Sequence, residues 1–100
     1  MNVAVTLRPE AEAEADIREA HAILESARQG SGVRFAKQVA GILQRLEIMP
    51  ELYGVISLDV RAARVKRFRY VIYYAFLGDR VEVLAVLHGS RDPSAWQSRA

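Results

Sequence analysis

Cysteine is absent from the 100 residues. Disulfide staples and thiolate metal sites are thereby excluded, and oxidation chemistry says nothing about the compartment. Long apolar runs are missing too. No segment approaches ~18 uninterrupted apolar residues, and MNVAVTLRPEAEAEAD has no basic stretch followed by an apolar one. Neither export nor membrane insertion is expected, which leaves the cytoplasm as the expected location. No stretch rich in proline, glycine and serine is long enough for a linker, so residues 1–100 are read as a single domain. The net charge of +2 is too small to name a partner by itself.

What is present is the mix of an ordinary globular protein, 51% hydrophobic and 26% charged, and therefore a chain able to build a core. The charges are unevenly placed. Residues 1–50 carry six basic and seven acidic side chains, residues 51–100 eight basic and five acidic. Five of those eight cations lie close together: Arg61, Arg64, Lys66, Arg67 and Arg69. They are either a cationic strand edge that blocks aggregation or a surface for an anionic partner.

Asn2 to Leu7 reads as a strand, with Val3, Val5 and Leu7 on one face. Thr6 and Pro9 are entry signals for a helix, and Glu10, Glu12, Glu14 and Asp16 place negative charge near the positive end of its dipole. Ala13, Ile17, Ala20, Leu24 and Ala27 fall on one face of that helix, which is predicted to run to about Gln29. Gly30-Ser31-Gly32 then breaks the pattern. A second helix follows, with Phe35, Val39, Ile42, Leu43, Leu46 and Met49 in one stripe, and Pro50 ends it. So short a connection predicts an antiparallel helical hairpin.

Beyond Pro50 the period changes to two. Val55 to Val60 and Arg64 to Phe68 are strand candidates; Tyr70 to Leu77 and Arg80 to His88 are richer in β-branched and aromatic residues. Gly78-Asp79 joins the last two as a tight hairpin. Both faces of YVIYYAFL are apolar, with Tyr70, Ile72, Tyr74 and Phe76 on one and Val71, Tyr73, Ala75 and Leu77 on the other. Two connected helices cover a single face. The expectation is therefore an exposed sheet face for a partner, against coverage by a curled sheet or by the segment from Pro93 to Arg99.

The resulting α+β fold has an N-terminal strand and an antiparallel two-helix hairpin. An antiparallel three-stranded sheet then pairs with the first strand, and a short C-terminal helical tail closes the chain. Three segments of it, LRPEAEAEADI, PELYGVISLDVRAARVKRFRYVIYYAF and VEVLAVLHGSRDPSAW, resemble toxins of the RelE/ParE superfamily, over nearly the whole chain. The last is the most specific, a hydrophobic strand ending in His-Gly-x-Arg-Asp-Pro and then Trp. The resemblance implies the toxin of a type II toxin-antitoxin system, neutralised by an antitoxin that wraps it. Operator DNA would be reached only through that antitoxin. It implies one of two targets: RelE-like members cleave messenger RNA on the ribosome, ParE-like members inhibit DNA gyrase.

Chemistry separates the two. Cleavage by the 2′-hydroxyl needs a base, a cation for the phosphorane and an acid for the leaving oxygen. The ribonuclease branch commonly has an arginine three residues before a strand tyrosine; if Tyr74 is that tyrosine, Val71 stands at the matching place. The tail DPSAWQSRA offers Trp96 and no tyrosine. The depleted set favours a gyrase-type activity, with a ribonuclease built on His88, Arg67 and Arg91, or an inactive homologue that only binds antitoxin, as the alternatives. Arg61, Arg64, Lys66, Arg67, Arg69, Tyr73, Arg91 and Trp96 are the candidate antitoxin or target contacts. The other reading of His88 is a strand-end histidine bonded to backbone, and that of Arg91 and Asp92 a turn or helix cap before Pro93. Tyr70 and Tyr74 are assigned to packing. No pair of histidines has metal-ligand spacing, so no metal and no cofactor is expected. Relatives commonly carry proline where Arg69 stands, which marks a local departure in the backbone and makes the strand start more basic.

Overall fold

The computed structural model describes residues 2–7 and 12–100. The element order is β1 (Ala4–Leu7), α1 (Ala13–Ala27), α2 (Ser31–Ile48), β2 (Val55–Ser57), β3 (Val60–Val65), β4 (Tyr70–Phe76), β5 (Arg80–His88) and α3 (Ser94–Gln97). The helix entry expected at Pro9 and Glu10 lies outside the described residues. Thr6, the other expected signal, belongs to β1, where its hydroxyl donates to the Val81 carbonyl at 3.4 Å.

Between the two helices the chain turns in three residues. Gly30 takes a left-handed φ of +89°, which glycine adopts without a Cβ clash. The carboxylate of Glu25 on α1 then accepts from the Gly30 N–H at 2.7 Å and the Gly32 N–H at 2.9 Å, capping α2 from its neighbour. The bond from Gly30, opposed in part by desolvation and joined by that from Gly32, holds the Glu25 carboxyl below its usual range. At Gly32 a methyl would come within 2.8 Å of the His21 carbonyl oxygen, so the second residue of α2 is a glycine because the helices touch there.

Five strands form one mixed sheet in the order β1-β5-β4-β3-β2. Four of them, β2 to β5, are antiparallel in sequence order, while β1 joins β5 in parallel through Ala4↔Arg80 to Leu7↔Val83. Two predicted strands shift. The stretch from Val55 to Val60 is cut by a turn at Leu58 and Asp59, with Leu58 at φ +50°. The strand expected over Arg64 to Phe68 runs instead from Val60 to Val65, because Phe68 turns into the core to meet Phe35 edge-on at 5.6 Å. Gly78, at φ +93°, closes the β4-β5 hairpin, where the Leu77 N–H donates to the Arg80 carbonyl at 2.9 Å.

Both helices lie on one face. Ala13 and Ala20 of α1 and Phe35, Val39, Ile42 and Leu46 of α2 pack against Ala63, Val65, Tyr70, Ile72, Tyr74, Val81, Val83 and Val86. Ala27, assigned to this face from its spacing, is exposed in the last turn of α1, and Met49 is exposed at the end of α2. Along β5 the alternation changes phase in the middle. Tyr73 pairs with Ala85 and Tyr74 with Val83, so Leu84 is an extra residue, a β-bulge. Before it Val81 and Val83 face the helices, after it Val86 does, and Leu84, Ala85 and Leu87 face the reverse.

That reverse face corrects an expectation. It is not wholly open: Val60, Tyr73, Leu84, Ala85 and Leu87 form a second core with Trp96, whose ring stacks on Tyr73 at 5.1 Å and 14°. Apolar surface on both sides of a central strand demands cover on both sides, and a buried tryptophan is large enough to supply much of it. The turn that brings it there is fixed by Asp92, whose carboxylate accepts from the Ser94 N–H at 2.9 Å. This bond holds the Asp92 carboxyl below its usual range.

The tail is tied down a second time. Beyond Val83, β5 has no β1 partner, and its Val86 N–H donates to the Asp16 carboxylate of α1 at 2.9 Å. Arg99 completes the clamp, donating to Asp16 at 2.6 and 3.3 Å and to the Leu84 carbonyl at 3.2 Å. One ion pair thus joins α1, the bulge and the C-terminal tail.

Candidate functional site

Beside the tail, the reverse face keeps a groove of about 800 Å³. Its apolar floor and wall include Ile56, Ala62, Val71, Tyr73 and Trp96, and its charged rim is Arg64, Lys66, Arg67 and Arg69. All four cations are exposed, and none makes an ion pair with a described residue.

Strand alternation and the β3-β4 loop explain which cations arrive there. In β3, Arg61, Ala63 and Val65 share the helix side, whereas Val60, Ala62 and Arg64 share the reverse. Arg61 is therefore separated from the others and committed to a structural task. It donates to the Tyr53 carbonyl at 2.7 Å and the Glu51 carbonyl at 3.1 Å, and lies 3.6 Å from the Glu51 carboxylate. With its side chain only 18% exposed, Arg61 holds the segment after α2 and stands apart from the four exposed cations. Tyr74 supports the same segment by donating to the Pro50 carbonyl at 2.8 Å. Burial, as the leading cause, raises the Tyr74 phenol above its ordinary range, consistent with a packing role.

Residues 66–69 connect β3 to β4, and Arg67 and Arg69 sit at φ +74° and +59°, left-handed positions that disfavour any side chain with a Cβ. Phe68 between them is drawn inward, so both guanidinium groups face out. The Arg69 carbonyl accepts from the Gly89 N–H at 2.7 Å, which fixes the loop to the end of β5. At the φ of Arg69 the proline that the resemblance would lead one to expect here could not be accommodated. We expect Arg69→Gly to raise stability by about 0.5–1 kcal/mol, since a left-handed L-residue costs about 1–2 kcal/mol and glycine's flexibility returns part of that. Arg69→Pro should lower it; thermal unfolding of the two variants checks both signs.

Tyr73 and Trp96, expected as contacts, wall the groove from within: they are 8% and 7% exposed and stacked on each other. Neither is an exposed anchor. His88 and Arg91 face elsewhere, lining a smaller depression of about 160 Å³ with Asp16, Glu19 and Ile23 on the helix side. The His88 Nδ1 accepts from the Ser90 N–H at 3.1 Å and lies 2.8 Å from the Ser90 hydroxyl, and its ring meets Tyr70 edge-on at 5.3 Å. This is the backbone-bonded arrangement of the strand-end reading. Its cause is the turn after β5, which folds Ser90 back onto the ring. The nuclease candidates are not assembled in one place, since Arg67 opens into the first groove and His88 with Arg91 into the second. Among the described residues no group of three His, Cys, Asp or Glu side chains is placed to hold a metal ion, and no helix is long and apolar enough to cross a membrane.

Sequence reading missed three participants. Ile56 contributes to the groove, and Asp16 with Arg99 holds the tail beside it. Only Ile56 had a signal, its place in a strand-like run; the Asp16 and Arg99 pairing spans almost the whole chain.

A helical hairpin on one face of a mixed sheet, with a cationic groove on the other, defines a small α+β protein. A model of the family described as "ParE toxin of type II toxin-antitoxin system, parDE" matches residues 7–93, and the chain belongs to this family. Among solved structures, the chromosomal ParDE toxin-antitoxin system from P. aeruginosa is similar in fold, with a TM-score of 0.72 at 11% identity over 86% of this chain and 95% of that one. No curated protein sequence matches the chain.

Proposed function

We propose that this toxin-family protein acts by protein contact on DNA gyrase and is neutralised by a cognate antitoxin that occupies the groove. The observation that carries the choice of target is the dispersal of the groups that RNA cleavage would require. Val71, where the ribonuclease branch has a cation, contributes only a half-buried apolar side chain to the groove. His88 is engaged through Nδ1 with Ser90 and lines a different depression from Arg67. A base, a cation and an acid must converge on one phosphate for the chemistry to proceed.

Support for the antitoxin assignment comes from the groove's composition. An extended or helical segment carrying acidic and apolar residues would pair with Arg64, Lys66, Arg67 and Arg69 while covering Ile56 and Val71. The parallel with the ParDE system rests on fold. Purified gyrase should lose supercoiling activity on titration with the free chain and regain it when antitoxin is added. Unchanged supercoiling at excess chain removes gyrase from the reading. Cuts within codons, mapped by primer extension after induction, would replace it with ribonuclease action. Absence of any growth defect without antitoxin would point to an inactive homologue.

A further inference from the structure

The rim of the groove has a feature that antitoxin binding alone does not require. Two of its four cations, Arg67 and Arg69, stand on left-handed backbone in a loop of four residues. Glycine or asparagine would fit those positions at lower cost. Backbone held in a disfavoured region, with charged side chains turned outward, points to a contact made by those side chains.

We propose that Arg64, Lys66, Arg67 and Arg69 form a sequence-independent contact for the phosphate backbone of duplex DNA. The inference goes beyond the gyrase reading and does not depend on it. Guanidinium groups bind phosphate through paired, charge-assisted hydrogen bonds, and lysine adds a point charge. All four groups are exposed and without a carboxylate partner among the described residues, so no internal ion pair has to break. Residues 64 and 66 are two positions apart and so about 6.5–7 Å apart along an extended chain. Because Val65 pairs with Tyr70, the loop doubles back and Arg69 returns beside Lys66, so the four charges gather around the tip of the β3-β4 hairpin.

The same groove argues against single strands. Proteins that hold single-stranded nucleic acid offer aromatic faces on which bases stack. Here Tyr73 and Trp96 stack on each other at 5.1 Å and are both buried, which leaves neither face free. A surface with phosphate-binding cations and no stacking platform suits the outside of a duplex. Such a contact is separate from operator recognition, which needs base edges.

Fluorescence anisotropy with a labelled 20-base-pair DNA duplex tests this, beside the same single strand, an RNA duplex of that sequence and a glutamate-rich peptide. With four phosphate contacts, duplex affinity should fall about a hundredfold between 50 and 200 mM salt, and only about tenfold for Arg67→Gln/Arg69→Gln. Arg67→Gly/Arg69→Gly should lose binding equally while unfolding at a higher temperature, which separates the contact from the fold. Arg28→Gln, a control that removes one exposed cation away from the groove, should bind nearly as the parent does. An equal loss in Arg28→Gln would overturn the proposal, as would tighter binding of the single strand or of the RNA duplex. Binding of the acidic peptide without any duplex binding would overturn it in favour of a protein ligand. Supercoiling is read separately, so the failure of either reading leaves the other standing.

Discussion

Trp96→Ala should lower the stability of the chain by about 3 kcal/mol, the lower end of the range for deleting a buried tryptophan. The lower end applies because α3 is a single turn near the C-terminus and can detach without collapsing the helix face. Loss of the indole uncovers Tyr73, Leu84, Ala85 and Leu87, which have no other cover from α3 than Trp96 and Ala95. For a domain of about this size the change corresponds to a fall in Tm of roughly 12–24 °C. The near-ultraviolet circular dichroism of the Tyr73 and Trp96 pair should vanish with it. A variant that unfolds at the parent's temperature would mean that Trp96 acts as a surface contact, and the second core would have to be redrawn.

Asp16→Ala should cost about 2–3 kcal/mol. Asp16 is 9% exposed and Arg99 18%, so the abandoned guanidinium can recover only part of its hydration. That places the loss below the roughly 3–5 kcal/mol of a fully buried pair broken on one side. The Val86 N–H also loses its acceptor at the point where β5 runs beyond β1. In a double-mutant cycle with Arg99→Ala, the second substitution should add little to the first, because most of the loss is shared. Independent, additive losses measured by denaturant unfolding would show that the two side chains do not work as one clamp. Asp16→Asn, which keeps an acceptor for Val86, should fall between parent and alanine variant.

The two helices were legible because each carries a stripe of period 3.6 and is bounded by glycine or proline. Phe35, Val39, Ile42 and Leu46 are buried as their spacing requires. The faces of β4 were legible for the same reason, as Tyr70, Ile72 and Tyr74 meet the helices while Val71 and Tyr73 do not. The β2-β3 turn was not, because Leu58 at φ +50° carries none of the glycine or asparagine that would announce a left-handed position. The bulge at Leu84 was equally silent. RVEVLAVLH is apolar throughout its second half, and a phase change cannot be seen where both faces read alike.

The candidate site divides along similar lines. The cluster of cations between Arg61 and Arg69 was visible as composition, but with strands expected over 55–60 and 64–68 Arg61 lay between them, and only the observed strand Val60–Val65 sets it on the face opposite Arg64. What composition does not give is the competition for each cation. Arg61 is taken by two carbonyls and a carboxylate from the segment after α2, and Arg99 by Asp16, 83 positions away in sequence. Local pattern decides whether a side chain faces in or out, while long-range pairing decides whether its charge is already satisfied.

By itself the sequence determined the order of helices and strands, the hairpin of the two helices and the concentration of positive charge in the second half, since periodicity, glycine, proline and composition are local properties. Only the tertiary structure decided that β1 joins β5 in parallel, that the tail buries Trp96 against Tyr73, and that four of the five clustered cations border a groove. Those outcomes depend on which distant groups compete for the same surface and the same hydrogen bonds, and the folded chain resolves that competition all at once.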